Sequence, residues 1–369
     1  MGQSNRNSDL IRKPPPDEAQ LDFFAEPLLD VALKDEREVM ERPFLCIHRK
    51  PSRKPIQYQS QDGGVTVEAY PHQDFGLATI NDWDIIIWAA SLIWDEINAT
   101  GKPPGRRVGF HPHALLRSIR RDPGGKNNYE KLASALDRLQ SMTVKTTIRA
   151  GKNREQRTFS LLDDWTRIDD KTTGQPKHWS FTICKWLYEG ITDKSRILSL
   201  HPDYFLIKNE TNKWLYRLAR KHAGKQSDGF RIHLRELHRK NGTSRAYRKW
   251  KHSMKEKITD QVILDYSFDI YENREGDPIV HMIRVDRAEA FAQGLTDEEI
   301  TEIHEQRAEK AQELPPSERQ AFWIAELNKH ARREENQSRY ADLHKTARTL
   351  MEENGGDESA ASQDASLFD

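Results

Sequence analysis

Apolar residues along this chain recur mainly at three- and four-residue spacing, broken by short alternating runs. The clearest helical stripe is Tyr247, Trp250, Met254 and Ile258, which predicts a helix with one packed face. Asn241-Gly242 reads as a turn and Thr243 or Ser244 as the N-cap, so the helix is expected over Ser244 to Asp260. Upstream, Ile80 to Ile97 is apolar around most of its circumference, the pattern of a core helix capped by Asn81 or Asp82. Phe44 to Ile47, Ile56 to Gln59 and Val65 to Ala69 read as short strands punctuated by Pro51, Pro55 and Gly63-Gly64.

The middle of the chain carries one order twice. A strand at Arg107 to Phe110 leads into a helix from Pro112 to about Arg120, then a turn at Asp122 to Gly125 and a helix from Tyr129 to Met142 capped by Asn127 or Asn128. Strands at Thr143 to Arg149 and Arg157 to Leu162 follow. Trp214 to His222, Phe230 to Ile232, His233 to Arg239, the Ser244 helix, and strands at Val262 to Tyr271 and Pro278 to Val285 repeat the order. Tyr129, Leu132 and Leu136 stand 118 residues before Tyr247, Trp250 and Met254, and Phe110 is matched to Phe230. The expected fold is α+β: two tandem winged-helix domains, each a helix-turn-helix with a β-hairpin wing, between flexible acidic N- and C-terminal extensions. Expected boundaries are a tail over 1–40 with a docking peptide, a first domain with preceding strands over 41–205, a second over 206–286, and an acidic extension over 287–369.

Charge sharpens the picture. The 369 residues are 31% charged and 36% hydrophobic with a formal net charge of zero. Residues 101–286 nevertheless hold 38 Lys and Arg against 22 Asp and Glu, a net of +16, offset by −7 over residues 1–100 and −9 over residues 287–369. A basic centre between acidic ends suits a polyanionic partner. The charge concentrates outside the apolar stripe of the Ser244 helix, where only Glu256 opposes Arg245, Arg248, Lys249, Lys251, Lys255 and Lys257. Like charges four residues apart weaken a helix unless an anion compensates, and DNA phosphate supplies one. The expected DNA-binding residues are Ser244, Arg245, Arg248, Lys249, His252 and Lys255, with Arg274 in the second wing turn. A weaker set in the first domain is Lys126, Asn127, Asn128 and Lys131, with Arg138 farther along the same helix.

Catalytic patterns are weak. His111-Pro112-His113 resembles the paired metal-binding histidines of single-strand nicking enzymes, with Tyr129 as a conceivable nucleophile. Pro112 would weaken a central strand, and histidines at a helix start are the plainer reading. Gly124-Gly125-Lys126 lacks the spacing and the following Ser or Thr of a phosphate loop, and His233, Glu236 and His238 fit no zinc-protease pattern. Cys46 and Cys184 stand singly, as in a reduced compartment, and the first thirty residues lack the apolar core of a signal peptide. The run Ile85 to Ala90 is too short to span a bilayer. A cytoplasmic protein with no cofactor, no metal and no membrane partner is expected.

Together, Ala78 to Trp94 (ATINDWDIIIWAASLIW), Arg106 to Ile148, Phe159 to Trp165 (FSLLDDW) and the turn-helix around Ser244 resemble the replication initiator protein A family of bacterial plasmids. The resemblance covers about residues 18–286 and leaves the acidic C-terminal part outside. It implies binding to double-stranded DNA at repeated sites (iterons) of a plasmid origin, with copy-number control, and a homodimer in one state. It also implies recruitment of the host initiator, replicative helicase and sliding clamp, with no intrinsic catalysis. Gln20, Leu21, Asp22, Phe23 and Phe24 are similar to the QLxLF clamp-docking peptide, with Phe23 where that motif has Leu. A nicking endonuclease and a winged-helix transcriptional repressor are the alternatives.

Overall fold

The computed structural model describes residues 21–22, 31–149, 155–224, 226, 229–259, 261–273 and 275–285, with isolated positions between 302 and 314. Gln20, Phe23, Phe24, Arg274 and nearly all of the 287–369 extension lie outside the described residues.

The first unit opens with β1 (Leu21–Asp22), β2 (Lys34–Glu36) and α1 (Arg37–Glu41). The Glu36 carboxylate accepts from Val39 N at 2.9 Å and so caps α1. In the hairpin of β3 (Ile56–Gln59) and β4 (Thr66–Tyr70), Ile56 and Tyr58 point inward and Gln57 and Gln59 outward, the period of two that a half-buried strand requires. Among the described residues Phe44 to Ile47, expected as a strand, makes one isolated bridge, Cys46 with Thr79. Its side chains are buried without an extended partner. In α2 (Trp83–Thr100) every residue from Trp83 to Trp94 is buried, and Gly101 ends the helix in the left-handed region at φ 73°. Asp82 stands at its N-cap without a capping bond, since its carboxylate is taken by Thr79 N and Arg138.

Next come β5 (Arg107–Phe110), α3 (Pro112–Ser118), α4 (Lys126–Ser141), β6 (Thr143–Thr146), β7 (Arg157–Phe159), β8 (Leu162–Asp169), β9 (Pro176–Ile183), α5 (Lys185–Thr192) and β10 (Ile197–Ser199). Asn127 and Asn128 lie in the first turn of α4 and do not cap it; Gly125 holds the cap position. β6 and β7 pair as expected, but they extend the β3–β4 hairpin into a sheet of order β3-β4-β6-β7. The hairpin that pairs with the strand before the two helices is β8–β9, in the order β1-β5-β9-β8. The expected first wing at 143–162 is therefore displaced to 162–183. Val144 and Thr146 face a buried sheet there, and strand pairing follows buried faces more than sequence proximity.

The second unit runs α6 (Glu210–His222), β11 (Phe230–His233), α7 (Leu234–Asn241), α8 (Tyr247–Ile258), β12 (Gln261–Ile263), β13 (Tyr266–Glu272) and β14 (Pro278–Arg284). Its sheet has the order β11-β14-β13-β12. The single strand expected at 262–271 is broken into β12 and β13 by a turn in which Leu264 takes φ 52°. Both units thus place a strand, two helices and a hairpin whose second strand returns to the first, and the first unit inserts β6 and β7 before its hairpin. Leu132, Leu136, Trp250 and Met254 are all buried, as their common spacing predicts. Counted from the helix that follows, Phe110 occupies the place of Ile232 rather than Phe230, a shift of two that preserves the strand face.

One apolar cluster runs through both units, and buried ion pairs cross their junction. Arg217 of α6 donates to Asp35 at 2.6 Å with both side chains almost wholly buried, and Trp83 Nε1 donates to the other oxygen of Asp35 at 2.8 Å. Lys213 reaches Asp84 at 2.6 Å, and Arg121 reaches the same oxygen at 2.8 Å. Glu41 collects Lys240 at 2.7 Å and Lys221 at 3.2 Å.

Candidate nucleic-acid interface

α8 begins three residues later than its sequence suggests. Ala246 occupies the N-cap without a side-chain bond, and Thr243 Oγ1 instead accepts from Arg245 N at 3.2 Å. Gly242 is the left-handed C-cap of α7, and Thr243 to Ala246 form a short non-helical link between the helices. The link is anchored where His238 Nε2 meets the Arg245 carbonyl at 2.9 Å. Ser244 and Arg245 therefore precede the helix and are exposed there.

The helix has two faces. Trp250, Met254 and Ile258 are buried, and the His238 ring packs edge-on against Trp250 and Tyr247 at 4.9 and 5.5 Å between centroids. Arg248, Lys249 and His252 are exposed on the other side. Arg248 and Lys249 make no ion pair among the described residues, so their charge is unspent. His252 Nε2 stands 3.5 Å from Glu256, and Lys255 is held by Glu272 of β13 at 3.1 Å, which makes Lys255 the least available cation of the set.

Sequence reasoning passed over Arg235. It is exposed on α7, and its guanidinium lies over the Tyr247 ring, 4.7 Å from the centroid. Burial raises the Tyr247 phenol pKa, with Arg235 opposing. An Arg twelve positions before an aromatic residue gives no local signal; only the packing of α7 on α8 creates the pair.

The weaker set sits apart, on α4 of the first unit. Asn127 and Lys131 are exposed; Asn128 is half-buried, its Nδ2 donating to the Gly124 carbonyl at 2.6 Å and its Oδ1 accepting from Lys131 Nζ at 3.2 Å. Lys126 is the first residue of the helix. Arg138 is not available to a ligand, because its Nε and Nη2 grip both oxygens of buried Asp82 at 2.8 Å.

The histidines weighed as metal ligands stand at a helix start. His111 is the N-cap of α3, its Nδ1 accepting from His113 N at 3.3 Å, and His113 lies in the first turn. Among the described residues no group of three or more His, Cys, Asp or Glu is gathered in a way that could hold a metal. Cys46 and Cys184 are free and buried, and burial pushes the Cys184 thiol up to about 12. No helix among the described residues is long and apolar enough to cross a membrane.

A Wigglesworthia glossinidia brevipalpis protein named for a replication role is 29% identical over 256 residues, spanning 68% of this chain and 90% of its own. Two crystal structures of domains 2 and 3 of RctB are similar at 11% identity: one has a TM-score of 0.46 over 67% of this chain and 97% of that one, the other 0.38 over 66% and 95%. Residues 34–268, from β2 into β13, match replication initiator protein A, and the chain belongs to that family of replication initiators.

Proposed function

We propose that the chain initiates plasmid replication by binding duplex DNA in a sequence-specific way at repeated origin sites, with α8 in the major groove. The observation that carries this is the division of α8 into a buried Trp250, Met254 and Ile258 stripe and an exposed face on which Arg248 and Lys249 make no ion pair among the described residues. In this reading both units are winged helices. The β13–β14 hairpin is the second wing, flanking the groove, and Arg235, Arg245 and Lys249 meet phosphate or base edges. The first unit, through Asn127 and Lys131 of α4, adds a lesser contact or a dimer surface.

Host initiator, replicative helicase and sliding clamp are the proposed partners, recruited in the cytoplasm without catalysis by this chain. For the clamp, the docking peptide would have to release Leu21 and Asp22, whose backbone pairs in parallel with Val108 and Gly109 of β5. The deciding experiment is propagation of a plasmid carrying only this gene and its flanking repeats. Loss of propagation and of the origin footprint on Arg248→Ala plus Lys249→Ala is expected; an unchanged footprint rejects the assignment of α8. Cleavage of one strand by the purified protein with Mg2+ or Mn2+ would reject the non-catalytic reading.

A further inference from the structure

The loop between Ile47 and β3 reads His48-Arg49-Lys50-Pro51-Ser52-Arg53-Lys54-Pro55: four cations in six residues, no acid, and nearly every residue exposed. It lies in neither helix-turn-helix and has no part in the reading above. It is nevertheless a built surface. Leu77 N donates to the Ser52 carbonyl at 2.9 Å, Arg53 Nη2 donates to the Asp74 carbonyl at 2.9 Å, and Lys54 N donates to Ser52 Oγ at 3.0 Å. Gly76, at φ 78°, lies so close that a Cβ there would stand 3.0 Å from both Pro51 Cβ and the Ser52 carbonyl. Arg49, Lys50 and Lys54 make no ion pair among the described residues.

Position gives the loop its meaning. The chain from Gln61 back to Ile56 follows α7 toward its C-terminus: Gln61 Nε2 is 3.4 Å from Glu236, and a Cβ on Gly242 would stand 2.9 Å from Ile56 Cγ2. Lys54 is two residues beyond Ile56, at most about 7 Å along the chain. The Lys54 end of the cationic loop of the first unit therefore lies near the Gly242 turn that leads into α8 of the second.

We infer that the loop of Arg49, Lys50, Arg53 and Lys54 contacts the phosphate backbone of the duplex that α8 engages, just outside the base pairs α8 covers. The inference rests on the DNA reading of α8. Phosphate is the partner whose chemistry fits, because the loop offers several point charges at a fixed spacing and no apolar pocket. Such contacts position a protein on DNA without specifying sequence. The first unit then contributes to affinity through a surface separate from α4, and docking of the two units becomes a condition for full binding.

The test uses the full chain and a duplex that it selects from a randomised pool, with arbitrary flanks. Lys50→Gln plus Lys54→Gln is compared with wild type and with Arg248→Ala plus Lys249→Ala by salt-dependent affinity and hydroxyl-radical footprinting. Two lost phosphate contacts should make the slope of log K against log salt shallower by about 1.8 and shrink the affinity loss between low and fourfold higher salt by about tenfold. Protection should vanish at one edge of the footprint only, with sequence preference retained. A slope and footprint equal to wild type in the loop variant, with the α8 variant impaired, overturns the loop contact alone. If the α8 variant also binds as wild type does, the DNA reading of α8 falls and the loop contact with it.

Discussion

Lys240 Nζ donates to Glu41 Oε1 at 2.7 Å, and through this bond the helix before the Gly242 turn is fastened to the first helix of the other unit. Lys221 Nζ lies 3.2 Å from the second oxygen of the same carboxylate, and His222 stacks on Phe230 with 4.4 Å between ring centroids. A single acid thus holds cations from both α6 and α7.

Replacing that acid should loosen the junction. Glu41→Ala leaves buried Lys240 and half-buried Lys221 without their counter-charge, and removal of one partner of a buried pair costs about 3–5 kcal/mol. Urea unfolding of the full chain measures it. A loss below about 1 kcal/mol, the level of a surface ion pair, would mean that the cluster is solvated in solution.

The same group sets an acid limit. Burial by itself would raise the Glu41 carboxyl, but the Lys240 and Lys221 ammonium groups outweigh it and hold the pKa far below the ordinary 4.5. A depressed carboxylate contributes stability that is complete above its unfolded value and is lost as pH falls through the folded one. Stability should therefore decline from about pH 5 downward, and Glu41→Gln should flatten that decline. An acid branch identical in the variant and wild type would assign the loss to other carboxylates. Burial also drives His222 well below its ordinary range, so it stays neutral and adds no acid-stabilised charge near pH 6.5.

The two faces of α8 should separate in mutagenesis. Trp250→Ala empties a buried aromatic site and should cost about 3–5 kcal/mol of stability. Arg248→Ala and Lys249→Ala should each change stability by less than about 0.5 kcal/mol while weakening DNA binding. Thermal unfolding and fluorescence anisotropy on the same preparations distinguish the two. Equal destabilisation by all three would mean that the cationic face packs against protein.

Gly242 couples both requirements. It adopts φ 65°, and a Cβ there would lie 2.7 Å from Pro43 Cβ and 2.9 Å from Ile56 Cγ2. Gly242→Ala should cost about 1–3 kcal/mol from backbone strain, with the steric clash in addition. Because the turn orients α8, DNA affinity should fall more than stability alone accounts for. Gly101→Ala is the control: it shares a positive φ of 73° but has nothing within 4 Å of its would-be Cβ, so it should cost strain without affecting binding.

Legibility in the sequence followed locality. The stripe at Tyr247, Trp250, Met254 and Ile258, the all-round apolar run of α2 and the β13–β14 hairpin are legible from spacing within short windows. The start of α8 was missed because Thr243 offers a serviceable cap, yet its hydroxyl is used one turn early by Arg245 N. The region after Leu162 gave little, since β8 is an edge strand with Asp163, Asp164, Thr166 and Ile168 exposed and no clean alternation of apolar residues.

The sequence by itself determined that a basic amphipathic helix follows a Gly turn, because local spacing and charge suffice for that; its link to replication initiators came from resemblance alone. Only the tertiary structure decided which hairpin returns to β5, which cations are spent on buried acids, and that a loop of the first unit stands beside the turn into α8. Those outcomes depend on contacts between residues far apart in the sequence, such as Phe110 with Trp179, Glu41 with Lys240 and Ile56 with Gly242, and no local periodicity encodes such pairings.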